Sequence, residues 1–288
     1  MDGILNLDKP QGLTSHDVVD RVRAVAGQRR VGHAGTLDPM ATGVLLVCLG
    51  RATRVAEYLM ASLKTYRARV RLGIATDTYD AEGTVVEERP VEVDRAAVGA
   101  ALDRFRGSIL QVPPMYSAVK HGGKRLYQLA RQGVTVEREP RPVEIYRLEL
   151  LEWAPPDLVL KVSCSPGTYI RSLAHDLGQV LGCGAHLAGL VRLASGDFRL
   201  EEAVGLEELT RERLPSLLLP LDAALRSYPA LHLDEGGALA VRSGRAVVGP
   251  VPEGEAGLAR AYGPDGVFLA VMEYRPDRGV WHPRKVFG

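Results

Sequence analysis

The stretch from Lys64 to Leu72 constrains the fold more than any other part of this 288-residue chain. Apolar and basic side chains alternate along it without a break. The apolar positions are Tyr66, Ala68, Val70 and Leu72, and the basic positions are Arg67, Arg69 and Arg71. Because side chains alternate across a β-strand, this pattern predicts a strand with one face in the core and one basic face.

Helices and further strands follow one another through residues 1–226. Gly3–Leu7 reads as a strand that a Pro/Gly turn ends, and Ser15 is predicted to cap a helix that continues to Ala26. Val44–Leu49 is a continuous apolar run, which is typical of a buried strand. Helices are also predicted over about 52–62, 94–106 and 168–181, and strands over 143–153 and 158–165. The mixture predicts an α/β fold of the α+β type, with a mostly antiparallel mixed sheet flanked by helices.

The C-terminal part of the chain has a different pattern. After Tyr228, short apolar runs are separated by Gly/Pro turns at close intervals. That spacing is typical of a small β-rich domain or barrel. We therefore predict a boundary near residue 226, with one domain at 1–226 and a second at 227–288.

Composition indicates a folded protein and leaves nucleic-acid binding open. Hydrophobic residues make up 46% of the chain, charged residues 25%, and the formal net charge is +1. The three cysteines are widely spaced, without a CxxC pair or a His/Cys cluster, so buried thiols are expected rather than a metal site or disulfides. Neither a secretory signal nor an apolar run of about 20 residues is found. We expect a cytoplasmic protein that does not span a membrane.

A loop at Arg29–Gly43 concentrates the features of a reactive site. Its three glycines, among them Gly35, permit close approach of the backbone to another molecule. Pro39 biases Asp38 towards an extended conformation, which limits the directions its carboxylate can take. The loop leads straight into the buried strand at Val44, a rigid anchor. On these residues alone, Asp38 is either a reactive carboxylate or a turn-capping residue, because Asp-Pro is common in turns.

Residues 32–45, GHAGTLDPMATGVL, closely resemble the catalytic motif of the TruB-type family of bacterial tRNA pseudouridine synthases. The resemblance extends to residues 3–15, 64–66, 113–120 and 167–173. It implies a pseudouridine-synthase fold followed by a small PUA-like RNA-binding domain. It also implies that the chain isomerises the T-loop uridine of tRNA, at conventional position 55, with no cofactor and no metal.

Pseudouridine formation breaks the bond from ribose to N1, turns the uracil and rejoins it through C5. A carboxylate can attack or stabilise the sugar carbon, as in retaining glycosidases. The resemblance assigns this nucleophilic role to Asp38, which would attack ribose C1′ or uracil C6. It pairs Arg171 with Asp38, since a nearby cation keeps a desolvated carboxylate ionised.

Two tyrosines complete the catalytic set that the resemblance implies. Tyr66 is expected to stack on the target base, and to remove the C5 proton directly or by positioning a base. Tyr169 is expected to hold the pocket or to hydrogen-bond Arg171 or Asp38. From the alternation of its strand alone, core packing is an equally open interpretation of Tyr66.

The target base is stacked in a folded tRNA loop, so the enzyme must flip it out. The resemblance makes His33 the occupant of the vacated space and Leu190 an apolar wall of the uracil pocket. A solvated loop histidine and a core leucine are the alternatives. Lys64 is predicted to contact RNA. Structural support of the active-site loop is expected from Lys9, Gly35 and Pro39.

Residues 113–142 mix basic side chains with tyrosines, which suits phosphate contact and base stacking. The resemblance identifies this segment as an inserted loop that closes over bound RNA, and Gly122 and Gly123 suggest a mobile hinge. A solvated surface helix is the alternative. RNA contacts are predicted for Lys120, Lys124, Arg125, Arg131 and Arg141. The arginines of Lys64–Leu72 are expected to extend this basic track, with affinity that falls as salt rises.

Two classes of function are compatible with these motifs. One is the tRNA uridine isomerase, and the other is a non-catalytic RNA-binding or tRNA-folding protein on the same scaffold. The intact set of Asp38, Tyr66, Tyr169 and Arg171 favours the isomerase. The expected partner is the T-arm of tRNA, without a membrane and without an obligate protein partner.

Overall fold

A computed structural model describes residues 1–251 and 257–288. In chain order its strands are β1 (Gly3–Lys9), β2 (Val31–His33), β3 (Thr42–Leu49), β4 (Lys64–Leu72), β5 (Ile74–Thr76), β6 (Val85–Glu88), β7 (Gly107–Gln111), β8 (Lys120–His121), β9 (Lys124–Arg125), β10 (Arg141–Ala154), β11 (Asp157–Cys164), β12 (Ala185–Ser195), β13 (Phe198–Arg199), β14 (Val204–Gly205), β15 (Ala230–His232), β16 (Leu258–Tyr262), β17 (Phe268–Arg275) and β18 (Val280–Val286). Its α-helices are α1 (Ser15–Ala26), α2 (Ala56–Met60), α3 (Arg95–Asp103), α4 (Leu126–Ala130), α5 (Ile170–Leu181), α6 (Leu214–Leu217) and α7 (Glu235–Arg242).

The main sheet of the described residues has ten strands, in the order β14-β1-β3-β12-β4-β11-β10-β7, with β2 beside β3 and β13 beside β12. The pairs β1–β14 and β3–β12 are parallel, and the other described pairs of this sheet are antiparallel. The predicted mixed, mostly antiparallel sheet is therefore confirmed. Strand β4 has the predicted bounds, Lys64–Leu72, and lies between β11 and β12.

The alternation in β4 divides its side chains between the two faces of the sheet. Its apolar side chains join the main core, together with residues of α1, α3 and α5. The basic side chains lie on the opposite face, where Arg67 pairs with Glu152 at 2.9 Å and Arg71 pairs with Asp157 at 3.7 Å. The arginines lie on the face opposite Tyr66, because neighbouring residues of a strand point to opposite faces, and the basic track that they are expected to extend stays a prediction.

Helix α1 has the predicted bounds but a different cap. The Thr14 hydroxyl, not Ser15, accepts from the Asp17 backbone N–H at 3.1 Å, and the Asp17 carboxylate accepts from the Thr14 N–H at 2.8 Å. Ser15 is buried, and its hydroxyl exchanges hydrogen bonds with the Leu37 N–H and C=O, at 2.8 and 3.0 Å. The side chain of Ser15 therefore ties the start of α1 to the residue before Asp38.

The C-terminal region is β-rich, as predicted. Strands β15 to β18 form their own sheet, which packs with α7 around a separate apolar core that includes Trp281. A second cluster joins this region to the main sheet through Val271 and Phe287. The Tyr262 hydroxyl donates to the Asp222 carboxylate at 2.6 Å across the same junction. The division at residue 226 and the PUA-like relationship stay predictions. No helix in the described part of the chain has the length and apolarity that a membrane span requires.

We predict that Gly43 tolerates a methyl group far less well than Gly27. Both residues have positive φ, 97° and 61°, so alanine at either position costs about 1–2 kcal/mol of backbone strain. A Cβ on Gly43 would lie 2.3 Å from the carbonyl oxygen of Arg192 on the neighbouring strand, whereas a Cβ on Gly27 meets nothing within 4 Å. In urea unfolding, Gly43→Ala should lower the free energy of unfolding by about 3 kcal/mol or more, whereas Gly27→Ala should lower it by about 1 kcal/mol. Equal losses would contradict the close approach of β3 and β12.

Candidate active site

Asp38 begins a tight turn between β2 and β3. The Ala41 N–H donates to the Asp38 carbonyl at 3.0 Å, with Pro39 in the second position of the turn, where proline is favoured. The Pro39 carbonyl accepts from the Gly12 N–H at 2.8 Å. The loop of Asp38 is therefore fixed to the turn that follows β1.

Lys9 lies beneath this loop and is fully buried. Its Nζ donates to the carbonyls of Pro10, Leu13 and Pro39, at 2.9, 2.6 and 3.3 Å. Burial lowers the pKa of Lys9, and the Asp38 carboxylate opposes that change. Since all three N–H donors of the ammonium are used within the protein, the geometry supports the interpretation of Lys9 as a structural support of the loop.

Arg171, the second residue of α5, grips Asp38 with two parallel contacts. Its Nε lies 3.0 Å from Asp38 Oδ2, and its Nη2 donates to Oδ1 at 3.1 Å. The Arg171 side chain is 6% exposed, whereas that of Asp38 is 33% exposed. Nη2 also donates to the Tyr116 carbonyl at 2.9 Å. The guanidinium therefore holds the carboxylate from inside the protein and leaves its outer side open.

Asp80 is a second carboxylate at this site, and the sequence analysis missed it. It is 3% exposed, and its Oδ2 lies 3.4 Å from Arg171 Nη1. Its Oδ1 accepts from the Thr78 hydroxyl at 2.6 Å and from the Glu82 N–H at 3.1 Å. The acidic turn around Asp80 was visible in the sequence, but no periodicity or motif connected it with residue 171.

The ionisation of Asp38 reflects these neighbours. Burial raises the pKa of the Asp38 carboxyl from its ordinary value of 3.8, the Arg171 guanidinium opposes the rise, and the Asp80 carboxylate adds to it. The Lys9 ammonium also favours the charged form. The bidentate contact with Arg171 is therefore the main interaction that opposes the rise in the pKa of Asp38 and favours its ionised form.

A second buried arginine, Arg192, binds the loop from its other side. It is 1% exposed and donates to the carbonyls of Gly35, Thr36 and Val44, at 3.0, 3.3 and 2.6 Å. Among the described residues, no carboxylate pairs with it. The sequence analysis missed Arg192, because one basic residue inside an apolar strand gives no periodic signal.

Tyr66 is the cross-strand partner of Arg192, on β4 and β12, so both side chains lie on one face of the sheet. Burial raises the pKa of Tyr66, Arg192 opposes the rise, and Asp38 adds to it. Leu190 is 8% exposed and pairs with Ala68 two positions along the same strands. Tyr66 and Leu190 therefore lie on the same face of the sheet, and the Asp38 charge acts on the phenol of Tyr66.

Tyr169 precedes α5 and is fixed by an amide that the sequence analysis did not single out. The Gln111 side chain accepts from the Tyr169 N–H at 2.7 Å and donates to its carbonyl at 3.0 Å. Burial raises the pKa of Tyr169, the Ser117 hydroxyl and Arg171 oppose the rise, and Asp38 adds to it. Both active-site phenols therefore keep their protons at neutral pH.

His33 lies in β2, opposite Val47 of β3. Its Nδ1 is buried, and no described residue hydrogen-bonds to it. Burial lowers the pKa of His33, and Arg192 lowers it further. The imidazole is therefore neutral at neutral pH.

The prediction that Lys64 contacts RNA is wrong. Lys64 is 5% exposed, and its Nζ donates to the carbonyls of Leu59, Met60 and Ser62, at 3.0, 3.1 and 2.6 Å. Burial lowers the pKa of Lys64 to about 8, and the Arg192 charge contributes. The ammonium neutralises the carbonyl end of α2, where a cation is favourable, and has no donor left for a phosphate.

The inserted segment presents its basic side chains to solvent. Exposed positions are Lys120, Lys124, Arg125, Arg131 and Arg141, and none of them forms an ion pair with another described residue. Gly122 and Gly123, at φ 56° and 84°, form the two-residue turn of the β8–β9 hairpin. Consecutive positive φ angles are what a tight hairpin turn requires, and the mobile hinge that is expected there stays a prediction. In the described part of the chain, no three His, Cys, Asp or Glu side chains converge as metal ligands would.

Comparison with known proteins identifies the family. The description "TruB family pseudouridylate synthase (N terminal domain)" matches residues 23–170, and "tRNA pseudouridylate synthase B C-terminal domain" matches residues 171–226. The chain belongs to the TruB family. The predicted isomerase class, a pseudouridine synthase, is therefore confirmed.

Similar TruB-family proteins and structures cover nearly the whole chain. The tRNA pseudouridine synthase B of Dehalococcoides mccartyi (strain CBDB1) is 47% identical, over 100% of this chain and 97% of its own length. That of Haemophilus influenzae (strain ATCC 51907) is 45% identical, over 96% and 90%. A chain of the structure titled "Crystal Structure of a Cbf5-Nop10-Gar1 Complex" has a TM-score of 0.77 and 29% identity, over 99% of this chain and 85% of that one. The predicted fold class is confirmed.

We predict that Arg171→Gln shifts the acidic limb of the activity profile of this TruB-family enzyme to higher pH. With Asp38 predicted as the nucleophile, activity is expected to require its ionised form. Because burial raises the pKa of Asp38 above 3.8, activity should fall as pH drops through that raised value. Without Arg171 the pKa rises further, so the loss begins at a higher pH. Single-turnover rates across pH measure the limb, with the exposed Arg67→Gln as control. A limb that stays in place or moves to lower pH would contradict the role of Arg171.

Proposed function

We propose that this enzyme isomerises the uridine at conventional position 55 in the T-loop of tRNA, with Asp38 as the nucleophile. The names of its relatives, tRNA pseudouridine synthase B, support tRNA as the substrate. The observation that carries the proposal is the Asp38 carboxylate, one third exposed and held from below by a buried guanidinium. A cytoplasmic location and action without an obligate protein partner belong to the same proposal.

The reaction is balanced as an isomerisation. Asp38 attacks C1′ or C6, the bond from N1 to C1′ breaks, and the uracil turns within the pocket. A bond then forms from C5 to C1′, and the bond from Asp38 to C1′ or C6 breaks, which returns the free carboxylate. The C5 proton leaves to a base, and N1 ends with a proton. Arg171 supplies an ionised nucleophile with a fixed direction of approach, which is the part of the barrier that preorganisation lowers.

Tyr66 and Tyr169 act in this scheme as neutral phenols. Burial raises both pKa values, so both phenols keep their protons at neutral pH. Either phenol can act as a base only if a partner first removes the phenolic proton. This favours Tyr66 as the ring that stacks on uracil and positions the base for the C5 proton, over direct removal by its oxygen. Leu190, on the same face of the sheet, suits an apolar wall of the pocket.

Base flipping costs on the order of a few kcal/mol, which contacts to the rearranged RNA must offset. A neutral His33 suits insertion among bases, because it carries no charge to desolvate. The exposed cations of the inserted segment suit the phosphates of the T-arm. We therefore propose that His33 occupies the space that the flipped base leaves, and that residues 113–142 bind the RNA.

Asp38→Asn should abolish product formation and leave RNA binding intact. The amide keeps the shape of the carboxyl but is not a nucleophile, so chemical mapping of unmodified tRNA transcript should find no pseudouridine. Filter binding should give a Kd for this variant within about threefold of wild type, because the contacts that bind the RNA before the reaction are unchanged.

Wild-type protein tests the target in the same assay. Product at the T-loop uridine, and none in a transcript with cytidine at that position, is the expected result. Product elsewhere would refute the T-loop target, and residual product from Asp38→Asn would refute the nucleophile. Tight binding without any product from wild type would favour the RNA-binding or tRNA-folding protein instead.

Lys64→Met and Lys124→Met should affect different properties of the enzyme. Lys64→Met leaves three carbonyls without their donor, so the free energy of unfolding should fall by about 1–3 kcal/mol, with RNA affinity unchanged. Lys124→Met removes an exposed cation, so stability should stay within about 0.5 kcal/mol. The affinity of that variant should fall, with a salt slope smaller by about one. If Lys64→Met loses the salt dependence instead, our correction of Lys64 is wrong.

A further inference from the structure

Tyr79 adopts a backbone conformation that its side chain disfavours. Its φ is 66°, and it is the one non-glycine residue with positive φ in the described part of the chain. Asn or Gly would adopt this left-handed conformation at lower cost than a bulky aromatic residue. Such strain persists only where surrounding contacts determine it, so the contacts of the Tyr79 ring need an explanation.

The ring of Tyr79 stacks on His175. Their centroids are 3.9 Å apart and their planes differ by 16°. His175 lies one helical turn after Arg171 in α5, so both project from the same side of the helix. Asp80, the neighbour of Tyr79, contacts Arg171 at 3.4 Å. Two consecutive residues of the turn therefore contact two residues one turn apart on α5.

The other side of this turn is fixed to the main sheet. The Tyr79 carbonyl accepts from the Leu187 N–H at 2.9 Å, and the Ala81 N–H donates to the Leu187 carbonyl at 3.0 Å. Within the turn, hydrogen bonds from Thr78 and from the backbone occupy Asp80 Oδ1, which leaves Oδ2 for Arg171. Backbone contacts set the position of the turn against β12, and the stack is its aromatic contact with α5.

His175 is suited to stacking in its neutral form. Its Nδ1 is buried, and no described residue hydrogen-bonds to it. Burial lowers the pKa of His175, and the Arg138 guanidinium lowers it further. Arg138 belongs to the inserted segment and donates to the Pro113 carbonyl at 3.1 Å. The flat faces of the Tyr79 and His175 rings therefore meet near that segment.

We propose that Tyr79 and His175 are positioning residues of the isomerisation, an aromatic clamp that holds Asp80 against Arg171 and so fixes the direction in which Arg171 presents Asp38. The proposal rests on the proposed role of Asp38 as nucleophile. The clamp acts through Asp80 and Arg171, so it affects the chemical step and the ionisation of Asp38 rather than the affinity for RNA.

Substitutions at Tyr79 separate the ring from the backbone. Tyr79→Asn tolerates the left-handed conformation and lacks the ring, whereas Tyr79→Phe keeps the ring. Tyr146→Asn, at a residue that is 60% exposed, is the matched control. Tyr79→Asn should lower the single-turnover rate about three- to tenfold and leave the Kd for tRNA unchanged. This range is the interaction free energy of one aromatic pair converted into a rate factor. Tyr79→Phe should restore most of the rate.

A double-mutant cycle tests whether the two rings act together. His175→Ala alone should lower the rate about as much as Tyr79→Asn, and the double variant should be no slower than either single variant. Additive losses would show that the rings act independently and would overturn the clamp. So would a wild-type rate in Tyr79→Asn.

A measurement without turnover distinguishes failure of the clamp from failure of the proposed function. Titration of the Asp38 carboxyl by 13C NMR reports its contact with Arg171, against the other charges that face it, Asp80 and Lys9. In full-length Tyr79→Asn the pKa of Asp38 should be higher than in wild type, because the weakened Arg171 contact has a larger effect than the displacement of the Asp80 charge. In Tyr79→Phe the pKa should be unchanged. If wild type forms no pseudouridine, the proposed function fails while this titration still decides the clamp. An unchanged titration in Tyr79→Asn would overturn it.

Discussion

The interaction on which the site depends is a buried guanidinium between two carboxylates. A buried cation is costly unless it is paired and its donors are satisfied, and Arg171 meets both conditions through Asp38, Asp80 and backbone carbonyls. The two carboxylates are not equivalent. Asp80 is enclosed, and Asp38 is open on its outer side. In the proposed covalent step, Asp38 gives up its charge to a new bond, and Asp80 then remains as a counter-ion. The second carboxylate thus prevents the chemistry from leaving an unpaired charge in the interior.

Arg192 shows a different way to bury the same group. Its guanidinium contacts no described carboxylate and is held by carbonyls on both sides of Asp38 in the chain. Carbonyl dipoles satisfy the donors without cancelling the charge, so the charge acts on its neighbours. It lowers the pKa values of Lys64 and His33 and opposes the rise at Tyr66. One arginine therefore holds the carboxylate of Asp38, and the other holds the backbone on either side of it.

The sequence predicted what local patterns determine. Strand β4 follows from alternation, and α5 from its apolar stripe, because each pattern lies within the element itself. Thr14 and Ser15 are both good helix caps, so local chemistry could not choose between them. The roles of Asp80 and Arg192 depend on partners that the fold brings from other elements. Lys64 binds carbonyls two to five residues before it in the chain, a contact that its place in the alternating strand did not indicate. The hairpin turn at Gly122 and Gly123 was not predicted, because it depends on the pairing of β8 with β9.

The resulting site is rigid at its base and open at one point. Lys9, Ser15 and Arg192 each fix a different part of the Asp38 loop through backbone groups, so the loop needs little rearrangement when RNA arrives. A preorganised loop cannot contribute ordering energy of its own to the flipping of a base. In the proposed complex, that energy must come from contacts with the RNA, for which the exposed cations of residues 113–142 are suited. Catalysis and RNA binding place different demands on charged groups. Catalysis needs fixed charges in a partly desolvated site. RNA binding needs solvated cations that neutralise phosphates over a wide surface.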